Sequence, residues 1–277
     1  VGLFLLTALG AGFAAYTFAP IWIPRFFGDD ALIDYERSQR FFRAESGLPL
    51  PGQPDLARFS ERLAARQLKK GAPILIRIFK REFELEVWMQ RDGAFHLFTA
   101  YPICLWSGTL GPKLREGDGQ SPEGFYTVDA SALNPNSRFY RSFNLGYPNA
   151  FDRAKGRTGS LIMVHGNCRS IGCFAMTDAQ IAEIWQLVTA ALASGQKRFQ
   201  VQVYPFRMTD AALAEHGNDP NADFWRNLKT GNDLFEKNGL PPRVSVCGGR
   251  YRFETDRPGF DGSLPIDSRC NGLTGEG

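Results

Sequence analysis

The one segment of this sequence dense in nucleophile chemistry is His165-Gly166-Asn167-Cys168-Arg169-Ser170-Ile171-Gly172-Cys173-Phe174-Ala175-Met176-Thr177-Asp178. A thiol attacks a carbonyl only as its thiolate, so it needs an imidazole or a helix N-terminus to lower its pKa from about 8.5. Both are at hand: His165 precedes the loop, and a helix start follows it. Gly172 lets the backbone turn tightly against a substrate, and the amides of Gly172 and Cys173 are suited to face a developing oxyanion. Ser170 is placed to brace the loop. These residue types in this order point to acyl transfer with Cys173 as nucleophile and His165 as general base.

Other readings of the same residues stay in view. Cys168 is a second candidate nucleophile, or a disulfide partner for Cys173 across the short loop; Cys173 is preferred because Ser-x-Gly precedes it and a capped helix follows. His165 alone reads as a strand-end histidine satisfied by a carbonyl. With three histidines in the whole chain and two cysteines this near, the base is the better reading. As metal ligands, His165, Cys168 and Cys173 have irregular spacing and lack a clear fourth partner, so neither metal nor cofactor is expected.

The elements that must position this loop are legible around it. Ser160 to Val164 is a short apolar run that reads as a strand ending at His165. Thr177 with Gln180 forms a capping box, and Ile181, Ile184, Trp185, Val188 and Leu192 repeat at helical spacing until Gly195. Ile74 to Phe79, Phe83 to Met89, Phe95 to Tyr101, Phe125 to Val128 and Phe199 to Tyr204 are rich in β-branched and aromatic residues and read as strands. Gly108 to Gly124, crowded with Gly, Pro and charge, reads as a long functional surface loop. Asp30 to Glu45, Asp55 to Lys70, Asp210 to His216 and Ala222 to Lys237 read as helices, with Gly47 to Gly52 a linker.

Four divisions follow: residues 1–24, a signal peptide or membrane anchor; 25–71, a helical segment and linker; 72–206, a β-rich catalytic domain; and 207–277, a helical and irregular extension. Val1 to Ala19 carry neither charge nor proline, which suits export to the cell envelope or periplasm, with the inner membrane as a partner if that stretch is retained. A formal charge of +3 without runs of like sign excludes a phosphate-tracking surface, so nucleic acid is not an expected partner. Five cysteines leave one thiol over in an oxidising compartment, and Cys247 with Cys270 is a candidate staple for the tail.

His165-Gly166 followed by Ser170-Ile171-Gly172-Cys173-Phe174-Ala175-Met176 resembles the signature of the L,D-transpeptidase catalytic domain, also called YkuD. Gly117 to Tyr126, with its Ser-Pro-x-Gly, resembles that family's lead into a core strand. Phe143 to Asp152, together with the Cys-Phe-Ala-Met-Thr-Asp ending, resembles its YafK-like branch and puts Tyr147 and Asn149 among the substrate-binding candidates. The resemblance spans about residues 72–206. It implies an α+β, β-rich fold: an L,D-transpeptidase-like mixed β-sandwich with a packed helix, plus helical N- and C-terminal extensions.

The resemblance also implies the reaction: Cys173 takes an acyl group from a peptidoglycan stem peptide as a thioester, which an amine resolves. Hydrolysis of that thioester, releasing crosslinks or wall-attached envelope proteins, is the alternative. A non-catalytic peptidoglycan-binding module is the alternative of another class. Ala175 stands where most of the family has Arg, so the cation for a substrate carboxylate must come from elsewhere, with Arg169, Arg153, Arg157 and Arg141 as the candidates.

Overall fold

From residue 28 the chain runs as a helix to residue 45 (α1), then through the short helix α2 (Phe59–Ala65) into three strands, β1 (Ile74–Phe79), β2 (Glu84–Arg91) and β3 (Ala94–Pro102). The segment 103–123 leads to β4 (Gly124–Asp129), the hairpin β5 (Leu133–Ser137) and β6 (Tyr140–Asn144), and the short helix α3 (Ala150–Ala154). Two brief strands, β7 (Met163–His165) and β8 (Phe174–Ala175), bracket the cysteine loop and are followed by α4 (Asp178–Ala193) and β9 (Arg198–Tyr204). The chain closes with α5 (Asp210–Glu215), α6 (Ala222–Asn238), β10 (Arg243–Cys247), β11 (Arg250–Glu254) and β12 (Asp267–Ser268). This computed structural model describes residues 28–255 and 261–270, so the stretch expected as signal or anchor lies outside it. Among the described residues no helix is long and apolar enough to cross a membrane.

The largest sheet has the order β3-β2-β1-β9-β4, with β1 and β9 parallel and the other pairs antiparallel. β1 is buried at every position, as a strand covered on both faces must be. Ile74, Ile76 and Ile78 face a core completed by Ile181, Ile184, Leu187, Val188 and Ala191 of α4 and by Phe143, Val164, Phe174 and Met176. Each of these aliphatic side chains contributes about 1.5–3 kcal/mol on burial. On the opposite face Phe79 joins Phe125, Tyr204, Trp225, Leu228 and Val244. The segment after β9 therefore forms a third layer on the sheet and shares a core with it.

A second sheet, β5-β6-β7-β8, carries the cysteine loop and joins β7 and β8 in parallel, Val164 opposite Phe174 and His165 opposite Ala175. The expected β-rich sandwich with a helix starting at Asp178 is present. Its capping box is also present: Thr177 N donates to Gln180 Oε1 at 3.2 Å, and Gln180 N to Thr177 Oγ1 at 3.4 Å.

Two elements are shorter than their patterns predict. α2 ends at Ala65 because Gln67 turns to φ +53°, which lets Leu68 return to the core beside Leu63. The strand expected over 160–164 pairs only from Met163, since Leu161 has φ +54° and leaves the extended region.

Segment 103–123 is held from beneath by Lys80. Its ammonium is fully buried and donates to the carbonyls of Thr109 (2.9 Å), Gly111 (2.9 Å) and Ser121 (3.1 Å) and to Glu123 Oε1 (2.9 Å). Glu123 in turn accepts from Gly111 N at 2.7 Å and Trp225 Nε1 at 2.8 Å. Two disulfides add covalent ties. Cys247–Cys270 staples the tail as the sequence suggests, and Cys104–Cys168 joins the end of the β-meander to the cysteine loop. Cys168 is thus bonded to Cys104 rather than to Cys173, and Cys173 is the free thiol.

Two stability outcomes follow. Lys80→Met strands the Glu123 charge in a dry site and is expected to cost about 3–5 kcal/mol, read as a fall in the urea-unfolding free energy; a loss below 1 kcal/mol would contradict the assigned anchoring role. The Cys104→Ser/Cys168→Ser double variant opens a loop of sequence separation 64. Its expected cost of about 4 kcal/mol is measurable against the oxidised wild type, and with reductant, which also opens Cys247–Cys270 in both proteins, the two should match.

Candidate active site

β7 and β8 do for the site what their length alone would not suggest. Val164 on β7 and Ile162 just before it point into the core, as do Phe174 on β8 and Met176 just after it. Continued alternation sends Met163 and His165, and Ala175 with the preceding Cys173, to the opposite face. With His165 opposite Ala175, the thiol and the imidazole lie on one face of adjacent strands, offset by one pleat repeat. They are not hydrogen-bonded to each other: Cys173 Sγ lies 3.4 Å from Met163 N and 3.6 Å from the Leu161 carbonyl.

His165 is oriented from its other nitrogen. Nδ1 is 2.6 Å from the Gly166 carbonyl, and since a carbonyl only accepts, Nδ1 carries the proton and Nε2 is left as the base. The Phe139 ring stacks on the imidazole at 4.8 Å, and Ser142 sits directly across the ladder from His165 with a buried hydroxyl that has no hydrogen-bond partner among the described residues. Burial pushes the imidazole below its usual 6.5, against the opposing pull of the Gly166 carbonyl. Burial also raises the Cys173 thiol above 9.0, opposed by the Met163 amide and by the charge of Lys113. Both directions favour the uncharged forms of the two groups near neutral pH.

Three serines, two from segment 103–123 and one from the cysteine loop, fix the turn at Cys173. Ser170 Oγ donates to the Cys173 carbonyl at 2.7 Å, and Ser121 Oγ to the same oxygen at 3.2 Å. Ser107 Oγ accepts from Gly172 N at 2.5 Å and lies 3.1 Å from Ser170 Oγ, while Ser107 N donates to Ser121 Oγ at 3.1 Å. The Gly172 amide, expected to face an oxyanion, is therefore already engaged. Among the described residues the Cys173 amide has no hydrogen-bond partner and is the free donor at this corner. Gly172 has φ +112°, and a Cβ there would stand 3.3 Å from Ile162 Cδ1 and 3.4 Å from the Gln120 carbonyl, so no other residue fits the turn without strain. Asn167 (φ +64°) and Cys168 (φ +31°) adopt uncommon backbone angles between base and nucleophile, held there by the Cys104 disulfide and by Asp178 Oδ1 accepting from Asn167 N at 2.8 Å.

The substrate-binding candidates are distributed differently. Tyr147 is buried with its hydroxyl 3.1 Å from the Lys113 carbonyl. Asn149 is committed to architecture: it caps α3 and donates to the Phe125 carbonyl (2.7 Å) and Tyr251 Oη (2.8 Å). Arg153 donates to the Pro148 carbonyl, Arg157 pairs with Asp152 at 2.9 Å, and Arg169 lies 3.9 Å from Glu45 on the surface. Arg141 stands over the rings of Tyr140 and Trp185. Sequence reasoning missed Ser107, Phe139 and Lys113. Lone serines, aromatics and lysines carry no pattern of their own, whereas Ser121 lay within the Ser-Pro-x-Gly segment already singled out. Ala175 is fully buried and bridged to Leu105, so the position offers nothing to a substrate.

The L,D-transpeptidase catalytic domain (YkuD) matches residues 75–233, a span that runs on through β9 and α5 into α6. The Escherichia coli K12 protein named "Putative L,D-transpeptidase YafK" is 50% identical over 186 residues, which cover 67% of this chain and 76% of that one. Among solved structures, a lysine-to-alanine mutant of the helical cell shape determining protein Pgp2 from Campylobacter jejuni is 21% identical with a TM-score of 0.40, covering 67% of this chain and 66% of that one.

A neutral pair sets the expected pH behaviour. Alkylation of Cys173 by iodoacetamide should still be climbing at pH 9, because the thiol is raised above 9.0, while the acid limb of turnover should fall below pH 6.5, where the lowered imidazole finally protonates. An alkylation rate already flat by pH 7 would instead reveal a preformed thiolate–imidazolium pair.

Proposed function

Because this chain belongs to the L,D-transpeptidase catalytic domain family, we propose that it is a cysteine acyltransferase acting on peptidoglycan stem peptides through a thioester at Cys173. In this reading Sγ attacks the carbonyl at the L-centre of diaminopimelate as its proton passes to His165 Nε2. The oxyanion is met by the Cys173 amide, joined by that of Gly172 once it exchanges Ser107 for substrate. Collapse breaks the C–N bond, His165 returns the proton to the departing amine, and the thioester remains for an incoming amine to resolve. What supports the reading is the register of β7 and β8, which puts Cys173 and His165 on the same side of adjacent chain segments, together with an imidazole whose Nδ1 is held by the Gly166 carbonyl. Such a substrate is met in the cell envelope, and an apolar lead at residues 1–24 suits that location as signal or anchor.

Hydrolysis of the same thioester, releasing crosslinks or wall-attached proteins, is the second reading. What favours it is the open rim: Ile171 is 87% and Leu161 64% exposed beside the thiol, and a transferase must keep water off its acyl-enzyme.

The test compares the purified protein with Cys173→Ala on tetrapeptide muropeptides and on crosslinked sacculi, read by mass spectrometry. Loss of the terminal residue with growth of dimers marks transfer, and shrinking crosslinks mark hydrolysis. The variant should be slower by on the order of 10³-fold or more in either case. Identical profiles for the two proteins would reduce the site to a peptide-binding module.

A further inference from the structure

A lysine sealed into the wall near the thiol has no part in the chemistry above. The Lys113 side chain is 4% exposed, and its Nζ donates to the Arg115 carbonyl at 2.9 Å and to Asp118 Oδ1 at 2.5 Å. An ammonium has three N–H donors, so among the described residues one of them has no acceptor. Gly159 makes the room for this side chain. At its φ of +141° a Cβ would come within 2.8 Å of Lys113 Cε and 3.0 Å of Tyr147 Cε1. The Tyr147 ring, 5.9 Å from Nζ, stands on the same side. Gly159 leads directly to Leu161, whose carbonyl is 3.6 Å from Cys173 Sγ, and the charge of Lys113 is felt at that sulfur. Of the four arginines named from the sequence, Arg157 is held by Asp152, Arg153 donates to the Pro148 carbonyl, Arg141 stands over two aromatic rings and Arg169 lies on the surface near Glu45.

We propose that Lys113 is the specificity-determining cation of this site, its third N–H receiving a carboxylate of the peptide that acylates Cys173. The proposal rests on the thioester reading. Asp118 is suited to share the ammonium with a second carboxylate. Its oxygens also accept from the amides of Leu114 (2.9 Å), Arg115 (3.0 Å) and Gln120 (3.0 Å). Burial works against its charge, yet those amides and Lys113 outweigh burial and hold its pKa at about 2. The aspartate therefore stays charged and in place while Lys113 takes on substrate. A carboxamide in the same position forfeits the charge-assisted bond, which makes the site selective for the acid.

The experiment uses two stem tetrapeptides, one with free carboxylates flanking the scissile bond and one with both converted to carboxamides. Wild type is expected to prefer the acid. Lys113→Met should raise KM for the acid roughly tenfold or more and leave KM for the diamide unchanged, any change in kcat through the thiol being common to both peptides, with Lys113→Arg restoring the preference. Asp118→Asn, which removes the resident competitor, should lower KM for the acid. A lysine that only holds the loop predicts something else: equal losses on both peptides, in kcat, for Lys113→Met and Asp118→Asn alike, and that pattern overturns the proposal. Two mono-amidated peptides then identify which carboxylate is read. Turnover surviving in Cys173→Ala would defeat the thioester reading itself, a result separate from any change in acid preference.

Discussion

The buried ion pair between Lys80 and Glu123 is the constraint on which the site's construction depends. Taking both charges out of water costs several kcal/mol per ion, recovered only if every donor and acceptor is met. Here they are met by the backbone of segment 103–123. Burial pulls the Lys80 pKa down and Glu123 holds it up, so the pair ties the segment to β1 as a unit or not at all. One consequence reaches the catalytic turn directly: the carbonyl of Ser121 accepts from Lys80, and the hydroxyl of Ser121 donates to the Cys173 carbonyl. The loop that looks unstructured in sequence is thus the most heavily anchored irregular segment around the nucleophile.

The arrangement around Cys173 combines rigidity with electrical neutrality. Three serine hydroxyls, a disulfide and an aspartate cap fix the backbone of the loop, while burial keeps both the thiol and the imidazole uncharged at rest. In the proposed reaction a charge created there would be met by groups already in place, which is where preorganisation has its effect. The occupied Gly172 amide fits the same picture, since Ser107 satisfies at rest a donor that would otherwise stand unpaired in a partly buried corner.

The third layer, α6 with β10 and β11, belongs to the same construction. Trp225 of α6 donates to Glu123, and Asn232 and Glu236 of α6 accept from Arg77, which is buried in the central strand. This layer therefore stabilises polar groups under the cysteine loop, although among the described residues it contributes none to the thiol's immediate surroundings.

Some of this was written in the chain itself. Local chemistry determined the strands, the capping box at Thr177 and the family to which the His-Gly/Ser-x-Gly-Cys run belongs, because periodicity, capping and a short motif are properties of neighbouring residues. The odd cysteine count also required one unpaired thiol. Tertiary structure alone decided which cysteine Cys168 joins, that Asn149 caps a helix, that Arg157 is held by Asp152, and that Ser107, Phe139 and Lys113 lie around the site. Those outcomes depend on which groups burial brings together across long stretches of chain, and burial decides which polar atoms must be paired and which charges persist.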